Sequence, residues 1–217
     1  MRELLNKELR LSANPLSFFF IAFGLIPFFP GYPILLSAFF TCLGIFQSFQ
    51  KTRETNDILY SALLPVKKSD VVKSKYIFCA FIELCAFLLS GVVVIIRMTV
   101  LKDALPYREN ALMNANPAFL GFMLAVFGLF NSIFVGGFFK TAYKIAKPFV
   151  VFCVSAFVAI GLVETLHHIP GLGFINAFGF DHIGEQLLFL CGGAVIFALL
   201  TLISEKKSEK TFEKIDL

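Results

Sequence analysis

Six blocks of apolar residues run along the chain, at 15–29, 33–49, 76–96, 118–139, 148–164 and 187–203, with polar segments between them. Within a block the apolar positions are nearly continuous rather than alternating or one-sided. The blocks approach the roughly 17–23 residues that a helix needs to cross a ~30 Å hydrocarbon core at ~1.5 Å per residue. The pattern predicts an all-α, polytopic membrane protein with six spans and a single transmembrane domain over residues 1–217. That domain divides into an interfacial helix at 1–12, a cytoplasmic loop at 50–75 and a cytoplasmic tail at 204–217. Spans one and two are separated only by Pro30, Gly31 and Tyr32, a tight uncharged turn. The first block has no small-residue cleavage pattern and runs on into the second, so it reads as a retained span rather than a signal peptide.

Composition agrees. The 217 residues are 58% hydrophobic and 16% charged, against roughly 25% charged in soluble domains, which excludes an ordinary soluble globular domain. The longest polar stretch, from Gln47 to Lys75, is too short for a catalytic domain of usual size. The basic residues gather in four segments: the amino terminus (Arg2, Lys7, Arg10), the loop after span two (Lys51, Arg53, Lys67, Lys68, Lys73, Lys75), the loop after span four (Lys140, Lys144, Lys147) and the tail (Lys206, Lys207, Lys210, Lys214). Only Arg97, Lys102 and Arg108 fall on the opposite side, so the positive-inside rule places both termini in the cytoplasm. The net charge of +4 is thus a topology signal and does not indicate nucleic acid. There is no Trp, and Tyr32, Tyr60, Tyr76, Tyr107 and Tyr143 are expected to supply the interfacial aromatics. Cys42, Cys79, Cys85, Cys153 and Cys191 lie within spans without ligand-like spacing and read as small core residues.

The cytoplasmic segments carry the functional signal. Residues 1–12 place Leu4, Leu5 and Leu9 on one helical face before Asn14 and Pro15 break the run, as a helix lying along the inner membrane surface would. The loop after span two splits at Pro65 into two helical pieces, with Thr55 or Asn56 as a cap for the first and Ser69 for the second. In the first piece Ile58, Leu59, Ala62 and Leu63 form an apolar stripe. That stripe either packs on headgroups and the underside of the bundle or docks on a protein partner.

The string from Glu54 to Tyr76, with Asn56-Asp-Ile-Leu-Tyr, Leu63-Leu-Pro-Val-Lys-Lys and Asp70-Val-Val-Lys-Ser-Lys-Tyr, resembles the loop of compact bacterial ABC-2-type transporter permeases. The amino-terminal Lys7-Glu-Leu-Arg-Leu with Asn14-Pro15, and the segment from Phe139 to Lys147, resemble further parts of the same family. The resemblance implies a six-helix permease, an exporter of a peptide, antibiotic or amphipathic molecule, that pairs with a second copy or a sister permease in the bacterial plasma membrane. It also implies two copies of a separate cytoplasmic ATPase, which would carry the ATP and Mg; this chain would bind no cofactor. Carried over residue by residue, Asn56, Asp57, Ile58, Leu59, Tyr60, Leu63 and Leu64 would be the ATPase-coupling helix, with Pro65, Lys67, Lys68 and Asp70 at its exit. Consistent with this division of labour, Gly136-Gly-Phe-Phe-Lys140-Thr141 lacks the glycine before lysine of a phosphate-binding loop and follows an apolar span rather than a strand.

Inside the bilayer, ionisable groups are costly and mark candidate sites. Glu83, two turns into span three, either faces a substrate path or hydrogen-bonds a neighbouring span; Asn131 in span four is the other candidate polar group. Arg97 is expected to snorkel outward, and Gly128, Gly136, Gly192 and Gly193 to mediate helix contacts. In the outer loop Glu164, His167, His168 and His182 are weak metal candidates without an HExxH arrangement. Two alternatives to a permease remain at this level: a regulatory or self-immunity membrane subunit without a transport pathway, and a membrane-embedded metalloenzyme.

Overall fold

The computed structural model describes residues 2–63, 65–141 and 143–215. Helix α1 (Arg2–Lys7) passes directly into a π-helical turn, Glu8–Ser12. The chain then breaks at Asn14, whose side chain accepts a hydrogen bond from Leu16 N at 3.0 Å, and Pro15 takes the first helical position of α2 (Pro15–Phe19). Helix α2 runs on as a nine-residue 3-10 helix, Phe20–Phe28. The two halves of this amino-terminal unit meet at 93°, the geometry expected of a surface helix followed by a span. Because a 3-10 helix rises ~2.0 Å per residue, the 15–28 segment reaches roughly 25 Å, where an α-helix of that length would reach roughly 21 Å.

Helix α3 (Leu36–Glu54) is largely enclosed, packed against the 3-10 segment and the helices that follow. Phe46 stacks on Phe149 with ring centroids 3.8 Å apart, and Phe49 meets Phe134 and Phe138 edge-on. After a two-residue turn, in which Asn56 takes the left-handed conformation at φ 52°, comes the short helix α4 (Asp57–Leu63). Helix α5 (Lys68–Thr99) is one unbroken run of 32 residues that starts in the predicted loop and continues through the third apolar block. It begins at Lys68 with no side-chain cap, so Ser69 does not cap it. Helix α6 (Leu105–Arg108) lies in the outer loop, and the fourth block is α7 (Pro117–Phe130), a π-helical turn (Asn131–Val135) and α8 (Gly136–Phe138). Helix α9 (Ala146–Leu166) and helix α10 (Ile183–Phe212) complete the bundle. Helix α10 continues to Phe212 with Ser204, Ser208 and Phe212 buried, so most of the predicted tail is a packed helical extension.

Six spans are expected from the apolar blocks. Among the described residues, four helical runs are long and apolar enough to cross a membrane: Lys68–Thr99, Pro117–Phe138, Ala146–Leu166 and Ile183–Phe212. The bent amino-terminal pair makes a fifth if it is taken as one span. Helix α3 differs because it starts at Leu36 rather than at Pro33 and its last third, Gln47 to Glu54, is polar. Being enclosed by other helices, it needs no continuous lipid-facing surface.

The closest approach in the bundle joins α7 to α10. Gly121 and Gly193 lie backbone to backbone, and a Cβ on either would collide with the other helix; Gly128 and Gly136 also face α10. Gly192 has open space beside it and makes no such contact, contrary to expectation. The outward faces of α5, α9 and α10 carry exposed apolar side chains, among them Leu88, Val92, Val154, Phe157, Leu188 and Leu199, as lipid contact requires. All five cysteines are free.

Candidate functional site

Helix α4 is held to the bundle by a cluster of four charged side chains drawn from three elements. Asp57, in its first turn, accepts from Lys7 Nζ at 2.8 Å through Oδ1 and from Lys75 Nζ at 3.2 Å through Oδ2. Lys75 also bonds Glu8 Oε2 at 2.5 Å and donates to Thr52 Oγ1 at 2.8 Å, while Lys7 lies 3.2 Å from Glu8 Oε1. Ser12 donates to Asp57 at 3.1 Å, and Lys7 donates to Ser61 Oγ on the next turn of α4 at 2.6 Å. The side chains of Glu8 and Lys75 are 1% and 3% exposed, so these charges are out of water and must satisfy one another. Burial pulls both titrations toward the neutral forms. The ammonium groups of Lys75 and Lys7 outweigh it and hold Asp57 below the usual carboxylate range. Likewise the carboxylates of Glu8 and Asp57 outweigh burial and raise Lys75 above its ordinary value. The cluster thereby fastens α4 to the amino-terminal helix, to the end of α3 and to the start of α5.

This arrangement sorts the predicted coupling residues. Asp57 and Ile58 face the bundle with Ser61, whereas Leu59, Tyr60 and Leu63 are exposed, Leu63 at 79%. The predicted apolar stripe of Ile58, Leu59, Ala62 and Leu63 is therefore divided: Ile58 is core, Leu59 and Leu63 face out, and the Ala62 side chain lies outside the described residues. Asn56 forms the left-handed turn into α4, and its carbonyl accepts from Tyr60 N at 3.0 Å. With Leu59, Asn56 borders a cavity of about 180 Å³ that extends to Thr141 and Tyr143 on the loop after α8. Pro65 and Lys67 are exposed, Asp70 lies in the first turn of α5, and Lys68 donates to the Ile215 carbonyl at 2.7 Å, joining the loop to the carboxyl-terminal segment. Leu64 lies outside the described residues.

The two predicted intramembrane polar residues are brought together. Asn131 Nδ2 donates to Glu83 Oε2 at 2.9 Å and to Thr201 Oγ1 at 3.1 Å, linking α5, the π-helical turn and α10. Both Glu83 and Asn131 are fully buried, and Glu83 Oε1 and Asn131 Oδ1 have no partner among the described residues. Two helical turns toward α4, Tyr76 shares hydrogen bonds with Ser204 at 2.7 Å and Ser208 at 3.0 Å, and Ser204 donates to the Asn131 carbonyl at 3.1 Å. Tyr76 is thus a buried joint between α5 and α10 rather than an interfacial anchor.

A protein-family model described as ABC-2 family transporter protein matches residues 3–213. The chain belongs to the ABC-2 family of transporter proteins. No curated protein and no solved structure matches it. An ABC-2 permease is a multi-pass transport protein and not an enzyme, and the helical geometry of the Gly136–Phe138 segment agrees with the dismissal of a phosphate-binding loop there.

The end of this ABC-2 permease opposite α4 does not assemble the metal candidates into one group. Glu164 accepts from Met113 N at 2.9 Å, His167 Nε2 bonds the Ala111 carbonyl at 3.1 Å, His168 stacks on His167, and His182 lies beside Glu185. No group of three or more His, Cys, Asp or Glu able to hold a metal occurs among the described residues. Arg97 departs from expectation. It is buried, donates to the Pro27 carbonyl at 2.6 Å and to Asn114 Oδ1 at 2.7 Å, and stacks over Tyr107 at 3.5 Å. It therefore terminates the 3-10 segment from within instead of reaching outward. The sequence reading singles out Asp57 but not Lys7 and Lys75 as its partners, nor Glu8 as theirs; it takes the two lysines only as topology markers.

Proposed function

We propose that this chain is the membrane-spanning subunit of an ATP-driven ABC-2 transporter, with α4 as the docking element for a separate cytoplasmic ATPase. The observation that carries the proposal is the division of α4 into two faces. Asp57, Ile58 and Ser61 are tied to the bundle, while Leu59, Tyr60 and Leu63 are exposed, Leu59 at the edge of a cavity. An exposed apolar patch on a rigidly held helix suits a protein partner. Movement of an ATPase against that patch passes through Asp57 to Lys7 and Lys75, and so to the amino-terminal helix and α5 together. Two ATPase copies, which would carry ATP and Mg, work with two permease halves formed by this chain and a second copy or a sister permease. All six apolar segments cross the bacterial plasma membrane in this reading, the first extended by its 3-10 form and the second enclosed as α3, with both termini cytoplasmic. Export of a peptide, antibiotic or amphipathic molecule is the direction and cargo proposed from family resemblance alone.

The test is purification of the tagged chain from its native membranes in mild detergent, with Leu59→Asp/Leu63→Asp alongside. Co-purification of an ATPase with the parent and its loss from the variant support the reading. An ATPase retained equally by both removes α4 from the interface, and no ATPase with a monodisperse parent chain favours a regulatory membrane subunit.

A further inference from the structure

A cavity of about 550 Å³ opens between the end of the fourth block, the start of α9 and α10, and four lysines from three positions in the fold line it: Lys140, Lys144, Lys147 and Lys207. None of the four has an ion-pair partner among the described residues, and no Asp or Glu lines the cavity. Of the other lysines on that side, Lys7 and Lys75 pair with Glu8 and Asp57 and Lys73 with Glu209, while Lys51 and Lys68 donate to backbone carbonyls; what distinguishes the four is that they converge on one cavity. Four like charges converging on one concavity repel each other and favour an anion between them.

The remaining walls indicate which anion. Pro148 and Val151, from the first turns of α9, form an apolar side to the cavity. From Val151 the exposed positions Val154, Val158 and Leu162 continue along the same helix at intervals of three and four residues. The lysines thus lie at the end of an apolar track along a membrane-spanning helix. A soluble anion would use only the charged end; a lipid uses both.

We propose that this cavity binds the phosphate headgroup of an anionic phospholipid, with its acyl chain laid along α9, and that a lipid with two phosphates binds more tightly than one with a single phosphate. The site is separate from α4 and stands whether or not α4 docks on an ATPase. Basic pockets between membrane helices hold such headgroups through charge and through hydrogen bonds from each ammonium.

The full chain in neutral detergent is titrated with cardiolipin, phosphatidylglycerol and phosphatidylcholine, and bound lipid is counted by native mass spectrometry. The expected order is cardiolipin, then phosphatidylglycerol, then phosphatidylcholine. Lys144→Gln/Lys207→Gln is expected to weaken cardiolipin binding by about tenfold or more, and Lys144→Arg/Lys207→Arg to retain it. Lys206→Gln/Lys210→Gln removes the same charge from α10 outside the cavity and is expected to leave binding unchanged. Equal losses in the two glutamine variants would show diffuse attraction and overturn the site. Full displacement of cardiolipin by millimolar inorganic phosphate would show that the cavity takes a free anion rather than a lipid. Parent binding that does not distinguish the three lipids also overturns the proposal, including the case in which the lysines instead serve an acidic protein surface.

Discussion

Replacing Lys75 with methionine removes the ammonium that lies between Glu8 and Asp57 while keeping the length of the side chain. Lys75 is 2% exposed, so no water replaces the lost partner. Breaking a buried ion pair from one side costs ~3–5 kcal/mol. The lower end applies, because Lys7 remains 3.2 Å from Glu8 Oε1 and 2.8 Å from Asp57 Oδ1 and neutralises part of the remaining charge. A loss of about 3 kcal/mol corresponds to a fall of roughly 6–12 °C in Tm for a chain of this size. The thiols of Cys42 and Cys79 are fully buried, whereas Cys191 is exposed and Cys85 and Cys153 are half-buried, so with those three replaced by alanine in every chain compared, a maleimide that fluoresces on reaction with cysteine reports unfolding in detergent. Glu8→Gln/Lys75→Met leaves Lys7 and Asp57 as a balanced pair and should recover at least half of the loss. The parent should also hold its Tm across neutral pH. Asp57 is held below its unfolded value of about 3.9, so its contribution is present above that value and is lost as pH falls through the lowered one. Lys75 is raised above its unfolded value of about 10.4, so its contribution is present below that value and is lost as pH rises through the raised one. A Lys75→Met variant that melts within about 2 °C of the parent, or a double variant no better than the single, would refute the account of the cluster.

Gly193→Ala should destabilise by about 1–3 kcal/mol because its Cβ meets the Gly121 backbone, whereas Gly192→Ala, which faces open space, should melt with the parent in the same assay. Glu83→Gln keeps an acceptor for Asn131 Nδ2 and should change stability by less than about 1 kcal/mol, while Glu83→Ala leaves a cavity and should cost about 2–3 kcal/mol. Arg97→Met loses its bonds to the Pro27 carbonyl and Asn114 together with its stacking on Tyr107, and should cost about 2–4 kcal/mol; an unchanged melting temperature would return Arg97 to the surface role first expected of it.

The apolar blocks were legible because a helix must be apolar across the stretch that faces lipid, and α5, α9 and α10 each contain such a stretch. Helix α3 was less legible as a helix with a polar last third, since its enclosure by neighbours is a tertiary fact. The 3-10 form of Phe20–Phe28 was not readable, as Phe, Ile, Ala, Gly and Leu do not distinguish 3-10 from α, and Pro27 near its end signals only an approaching break. The string from Glu54 to Tyr76 contains two of the four clustered charges, Asp57 and Lys75. Their partners Lys7 and Glu8 lie some fifty residues earlier, and counting basic residues by side treats every lysine as solvated. The same assumption misplaced Arg97. Glu83 and Asn131 were each visible as a polar group in an apolar block, but their pairing depends on how α5 and the π-helical turn are rotated.

The central claim is that the exposed face of α4 meets an ATPase, and site-specific photocrosslinking tests it most directly. A photoreactive residue is placed at Leu63, with Leu188 on the outward face of α10 as the comparison site, in cells that contain the native partners. The account predicts that irradiation joins Leu63, and not Leu188, to a polypeptide that mass spectrometry identifies as carrying the phosphate-binding loop of an ATPase. Adducts from Leu63 to lipid alone, with the chain folded and present in the membrane, would contradict it and leave α4 as a helix that packs on headgroups.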